Sequence, residues 1–260
     1  PISCTLGNPG GAQTMVVVGD SHAAQWIPAL ERIANANGWR LATFTKSACA
    51  FSRVEIQLRR EPYSSCMEWR ENVIAEIKRL RPDLMFVSQS RYGYVEREAM
   101  AEGLRSVWRE LSEAGVRVVP IRDTPWMPFQ PGDCLASGKP EDCEAPRSEV
   151  EASDIFAHAA STLDRVDVVD MTDGICGPQT CETVVGNMIV WRDKHHLTAT
   201  YTTALAPYLA RKAGLPVPGL AEPVIAAGKN KDNTHTISAH LTCGALGQGK
   251  PMERDVKLRF

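Results

Sequence analysis

The sequence predicts an α/β fold with a parallel sheet covered by helices on both faces. Two observations carry this. Short apolar runs alternate with amphipathic stretches from residue 15 to about residue 213, and the runs are nearly all apolar, as strands buried on both faces must be. Gly115 also stands where a helix C-cap belongs.

"MVVVGD" (15–20) is a β-branched strand stopped by glycine. "AAQWIPALERIANANG" follows as a helix, with Trp26, Ile27, Leu30 and Ile33 at helical spacing. The alternation continues with strand "WRLATF", helix "CMEWRENVIAEIKRL", strand "PDLMFVS", helix "EREAMAEGLRSVWRELSEAG" and strand "VRVVPI". Beyond a Pro- and Cys-rich loop (123–147), "SEVEASDIFAHAASTL" reads as helix and "RVDVVDM" as strand; a last helix is expected from about 198 to 213. In such sheets reactive groups gather at the C-terminal strand edge. The chain divides into a domain over 1–221 and a polar extension over 222–260, where the alternation is lost; a Cys4–Cys243 bridge would tether the two ends.

A chain of 260 residues with 43% hydrophobic and 23% charged residues suits one large globular domain. Lys and Arg number 29 against 31 Asp and Glu, for a net charge of −2, so no basic excess exists to neutralise a phosphate backbone. Nucleic acid is excluded as the expected partner. Eight cysteines, an even number, indicate an oxidising location. No CxxC pair occurs, and Cys134–Cys143 and Cys176–Cys181 lie in loops that suit short disulfides better than zinc. No run of 18 apolar residues is present. The chain opens on "PISCTLGNPGG" without a start methionine, so the expectation is a part of something longer whose export device precedes it.

Serine needs a base to take its proton, and the base needs an orienting partner. Ser21, in "GDSHAAQW", sits on a strand-to-helix turn that would lift its hydroxyl to the sheet edge, where backbone N–H groups can stabilise an oxyanion by roughly 3 kcal/mol per donor. The alternative is that Asp20 or Ser21 only caps the helix. His22 is a poor partner for Ser21, because adjacent side chains at a helix start diverge; a supporting role fits it better. The better base lies in "VWRDKHHLT", where Asp193-x-x-His196 lets a carboxylate hold one imidazole nitrogen while the other faces outward. Asp193, His195 and His196 are also metal-ligand types, but they lack the i, i+4 histidine pair of a helical zinc site, and no metal is expected.

"GDSHAAQW" after the first strand and "DKHHLT" before the last helix together resemble the SGNH (GDSL-like) hydrolase superfamily. Within it the chain is similar to the SGNH domain that follows the membrane-embedded acyltransferase-3 domain of bacterial surface-polysaccharide O-acetyltransferases. "KSAC", "CMEWRENV", "SRYG" and "DTPWM" fall where that group has its motifs, and the resemblance spans about Val16 to Leu209. It implies a three-layer α/β/α sandwich of flavodoxin-like type. It further implies Ser21 as nucleophile, His196 as general base and acid, Asp193 as the carboxylate orienting His196, and a Cys49–Cys66 pair beside the two loop bridges.

The usual oxyanion glycine and asparagine are missing from "TKSACAF" and "VSQSRYGY". Ser47 and Arg91, then Gln89, are the candidates to complete the hole that Ser21 begins. Trp126 and Trp191 lie in loops near the sheet edge, where an aromatic face could meet a sugar.

The expected activity is transfer of an acyl group, acetyl first, to a cell-envelope glycan through a Ser21 acyl-enzyme, outside the cytoplasm. The acyl group would come from acyl-CoA through the membrane domain of the same polypeptide, so no cofactor is bound. A carbohydrate O-acetyl esterase is the first alternative, and a non-catalytic glycan-positioning module the second.

Overall fold

The computed structural model describes residues 1–151 and 154–220 with their side chains, together with the backbone of two late strands, Thr236–Ala245 and Met252–Arg259. The main sheet contains β1 (Ile2–Gly7), β2 (Thr14–Gly19), β3 (Arg40–Thr45), β4 (Leu84–Ser88), β5 (Arg117–Pro120), β6 (Thr236–Ala245) and β7 (Met252–Arg259). Their order is β7-β6-β1-β3-β2-β4-β5.

Four of the five strands that the apolar runs predict form β3-β2-β4-β5, in which all neighbours are parallel. The expectation of a parallel sheet holds for this core only. The N-terminal "ISCTLG" adds β1 antiparallel to β3, and β6 and β7 continue antiparallel beyond it, so the whole sheet is mixed. The register sets Cys4 opposite Cys243; the bridge expected between them involves a side chain outside the described residues.

Strand β2 shows why the fold has three layers. Met15 and Val17 pack into one apolar cluster with Trp26, Leu30 and Leu209, while Val16 and Val18 pack into the other with Phe44, Val73 and Leu104. Successive side chains of a strand point to opposite faces, so an unbroken Met-Val-Val-Val run requires a cover on each side. Burying each such side chain is worth about 1.5–3 kcal/mol.

The cover on the first face is α2 (Ile27–Asn37) with two C-terminal helices. On the second face it is α3 (Ser64–Leu80), α4 (Arg97–Glu113) and the short α5 (Ile155–Ala160). Helix α4 ends at Glu113, and Gly115 follows with φ 92°, donating to Ser112 O at 2.9 Å.

Several expected elements are shorter than the periodicity suggests. The helix after β2 is split into α1 (Ser21–Ala24) and α2, because Pro28 lacks an N–H and opens a new helix at its first turn. The last helix is likewise two, α6 (Ala199–Ala204) and α7 (Ala206–Lys212), with Pro207 at the second start. The run "RVDVVDM" forms no continuous strand: it lies beside β5 through the isolated parallel bridges Val118↔Val166 and Ile121↔Val169 and an Arg117–Asp167 ion pair. The expected helix over 148–163 survives as Arg147–Val150 and α5.

Three disulfides, Cys49–Cys66, Cys134–Cys143 and Cys176–Cys181, close as expected. Among the described residues no helix is long and apolar enough to cross a membrane.

Candidate active site

The site is assembled at the C-terminal ends of the parallel strands. Gly19 ends β2 with φ 143°, and a Cβ there would stand 1.9 Å from Ser88 O, so only glycine allows β2 and β4 to close while the chain turns into α1. Asp20 is the N-cap of α1. Its Oδ1 accepts from His22 N at 2.8 Å, and its Oδ2 accepts from Ser90 N at 2.9 Å and from the Tyr92 hydroxyl at 2.6 Å. Burial pushes the Asp20 carboxyl above the usual range against these donors. Asp20 thus shapes the turn, and it also locks β2 to the segment after β4.

Ser21 opens α1, and its Oγ lies 2.9 Å from His196 Nε2. The other nitrogen of His196, Nδ1, lies 2.9 Å from Asp193 Oδ2 and 3.0 Å from Oδ1. Asp193 Oδ1 also accepts from the backbone N–H of His195 (3.0 Å) and His196 (2.9 Å), so one carboxylate folds the turn and holds the ring. Burial works to raise the Asp193 pKa, but these donors outweigh it and hold it at about 2. His196 is lowered from its ordinary value, first by burial and then by the nearby His22, against the pull of Asp193. A neutral imidazole beside a serine hydroxyl is the form that can accept its proton.

The turn is fixed from several sides. Trp191 pairs with Leu197, Arg192 N donates to His196 O at 2.8 Å, Leu197 N donates to Gln25 Oε1 at 2.8 Å, and Thr124 Oγ1 donates to His195 O at 2.8 Å.

A second carboxylate–histidine pair stands beside the first. His22, fully buried, has Nδ1 2.5 Å from Asp123 Oδ1 and Nε2 2.9 Å from His195 Nδ1. Asp123 Oδ2 accepts from Trp126 Nε1 at 3.1 Å and pairs with Arg91 Nε at 3.4 Å. Burial lowers His22, but the carboxylates of Asp123, foremost, Asp20 and Asp193 together outweigh it and leave the pKa raised; His195 is lowered by burial and by the charge of His196 and His22. The ligand atoms of His22, His195 and His196 lie within 4.8 Å of one another, yet an ion there would have to displace the His22–His195 and His196–Ser21 contacts.

Of the remaining candidates, Ser47 is exposed in the turn after β3, where Lys46 N donates to Gly19 O at 3.0 Å and so seats the turn against the end of β2. Arg91 lies in the wall of the site but is engaged: Nη2 donates to Val150 O at 3.1 Å, and the guanidinium lies 4.9 Å from the Trp126 ring centroid. Gln89 is held away from Ser21, buried with its Nε2 3.3 Å from Met100 Sδ on the α4 side of the sheet.

The two tryptophans separate. Trp126 is half-buried and stacks on His195 at 4.5 Å between centroids. Trp191 is 1% exposed in the core with Nε1 donating to Glu182 O, so it offers no face to a sugar; its backbone pairing with Leu197 turns the ring inward.

Sequence reasoning missed Asp123, Tyr92 and Gln25 as site residues. All three lie in motifs that carry the resemblance, Asp123 in "DTPWM", Tyr92 in "SRYG" and Gln25 in "GDSHAAQW", and Asp123 also follows a predicted strand at the same edge as Ser21.

The fold and this site define a protein of the SGNH hydrolase and acyltransferase class, whose enzymes carry out acyl transfer or ester hydrolysis. Residues 2–211 match the family model of the SGNH domain fused to AT3 domains, and the chain belongs to that family. It is similar in fold to the periplasmic domain of a lipopolysaccharide acetyltransferase from Salmonella ser. Paratyphi A. That likeness has 20% identity and a TM-score of 0.59, over 80% of this chain and 84% of that one. An acetylxylan esterase from Geobacillus stearothermophilus matches at 13% identity and TM-score 0.46, over 80% of this chain and 97% of that one. No curated protein sequence matches the chain.

Proposed function

We propose that this chain is the extracytoplasmic module of an AT3-fused O-acyltransferase, passing an acyl group, most simply acetyl, to a hydroxyl of a cell-envelope glycan. The observation that carries the reading is the continuous Ser21–His196–Asp193 set, with contacts of 2.9 Å at each junction. Ser21 Oγ attacks the acyl carbonyl as its proton passes to His196 Nε2, and His196 then gives that proton to the departing group. In the second step His196 takes the proton of the acceptor hydroxyl while its oxygen bonds the acyl carbon, and returns it to Ser21 Oγ as the ester bond breaks.

Ser21 N–H is the first of α1 and has no acceptor within the helix, so it is one oxyanion donor; the N–H of Ser47 is the second in this reading. The donor is an acyl group relayed by the membrane-embedded AT3 domain from acyl-CoA, so this module holds no cofactor of its own. The family's fusion to AT3 domains supports that arrangement and the location outside the cytoplasm, as do the three disulfides. Residues 1–221 are the catalytic unit in this reading, and residues 222–260 an extension of it.

A fluorophosphonate probe should label Ser21 stoichiometrically and leave Ser21→Ala unlabelled. Turnover of an aryl acetate should rise when a sugar acceptor is added. An unlabelled wild type would sink the covalent reading, and fast turnover indifferent to sugars would make the protein an esterase.

A further inference from the structure

The triad leaves one side of the site unexplained. A fully buried histidine, His22, is spent between Asp123 and the Nδ1 of His195, and what it fixes is the ring of His195. Burying an imidazole and a carboxylate is costly unless both are paired, so a packing role alone would favour an apolar residue here. The rings of His22 and His195 are within 6° of coplanar, as an edge-to-edge hydrogen bond requires. Trp126 stacks on His195 at 24° and is itself tied to Asp123, so one carboxylate sets both the edge and the face of that ring.

His195 is only half-buried, and its Nε2 has no hydrogen-bond partner among the described residues. Nδ1 faces His22, so Nε2 lies on the opposite side of the ring. The His195 and His196 ring centroids are 4.2 Å apart. The site therefore presents two neighbouring imidazoles, His196 held directly by Asp193 and His195 held by Asp123 through His22, of which the serine chemistry uses one.

We propose that Asp123, His22 and His195 form a second relay that orients the acceptor. In this arrangement His195 Nε2 hydrogen-bonds a hydroxyl adjacent to the one acylated, so that the preferred acceptor is a vicinal diol of a sugar rather than a lone alcohol or water. This rests on the acyl-enzyme reading and adds the chemistry of the acceptor to it. No proton is consumed at His195: the reacting hydroxyl's proton goes to His196 and from there to Ser21 Oγ, while the neighbouring hydroxyl is only held. Either proton arrangement of the relay serves, since a hydroxyl both donates and accepts. The charged or titratable groups facing the relay are Asp20, Asp123 and Asp193, the Arg91 guanidinium and His196.

The test is the partition of the acyl group between sugar and water, with an aryl acetate as donor. The acceptors are a methyl glycoside bearing a vicinal diol and its deoxy counterpart lacking one of the two hydroxyls. Wild type should favour the diol by about tenfold or more in the transfer-to-hydrolysis ratio, the worth of a good hydrogen bond. His195→Ala should erase that preference and His195→Gln should retain part of it. Asp123→Asn should raise the acceptor KM more than it lowers kcat. Because the ratio is read within each variant, a general loss of activity or of folded protein cancels.

A diol preference that His195→Ala leaves intact, or no preference in wild type, overturns the proposal while Ser21 labelling persists. Absence of labelling in wild type removes the acyl-enzyme reading and this proposal with it.

Discussion

The two carboxylate–histidine pairs of the site are chemically alike and physically opposite. Asp193 and His196 are three residues apart in one turn, with Asp193 a third exposed; Asp123 and His22 are 101 residues apart and joined only by the fold, with His22 sealed from solvent. In the wet pair burial and the nearby His22 keep the histidine below the ordinary pKa despite Asp193, and it faces a serine; in the dry pair the surrounding carboxylates keep the histidine above that value despite burial, and it faces another histidine. A local pair can be set by one turn of chain, while a long-range pair must be bought with burial. The first is therefore suited to change charge during a reaction and the second to stay fixed while the reaction proceeds.

The largest break in that comparison is expected from the wet pair. Asp193→Asn removes the charge that stabilises a protonated His196 and the acceptor that fixes its tautomer. It should lower kcat/KM for an aryl acetate on the order of a thousand- to ten-thousand-fold. Asp123→Asn should cost no more than about tenfold in the same assay, because a side-chain amide oxygen still accepts from His22 Nδ1. Steady-state kinetics on the two variants would invert the assignment of roles if Asp123→Asn proved the worse.

Stability should show the reverse order. Asp123→Ala strands a buried imidazole N–H along with Trp126 Nε1 and Arg91, at a cost of about 3 kcal/mol. Asp193→Ala frees backbone N–H groups that water can reach, at about 1 kcal/mol. Urea unfolding with the disulfides intact compares them. The sign of the pH dependence sharpens the contrast. The folded pKa of His22 is raised above 6.5, so its contribution is full below pH 6.5 and is lost as pH rises through the folded value. Wild-type stability should carry that decline above pH 6.5, and Asp123→Asn should flatten it.

The same contrast explains what could be read from the chain in advance. The Ser21 turn, the Asp193-x-x-His196 spacing and the four parallel strands each depend on neighbours within one or two elements, so local pattern reveals them. The antiparallel strand Ile2–Gly7 has too few consecutive apolar residues to announce itself, and its place is set by pairing with β3. Asp123 was visible as the residue that opens "DTPWM" after a strand, yet nothing local says that it will meet His22. Gln89 directly follows β4, and near a strand end a single residue's difference in register decides between the sheet edge and the core, about which composition is silent. Trp191 is turned into the core by its backbone pairing with Leu197, a contact that composition does not announce either.

The smallest expected effect tests whether the wet pair is open to the charges around it. His196 must be neutral to take the Ser21 proton, and its pKa is lowered, so the acid limb of kcat/KM should have its midpoint below pH 6.5. Arg192 is a well-exposed cation 3.4 Å from Asp193 Oδ2, and its charge adds to the lowering of His196. Arg192→Gln removes that positive charge and also leaves the Asp193 carboxylate unshielded. Both changes favour the imidazolium, so the sign is fixed: the midpoint should move up, by roughly 0.2 on the pH scale, as suits an exposed pair. In 1 M salt, where the screening length is about 3 Å, the difference between wild type and variant should vanish. A shift that survives such salt would mean that the Asp193–His196 turn is as shielded from solvent ions as the Asp123–His22 pair, and the distinction between a wet and a dry pair would fall.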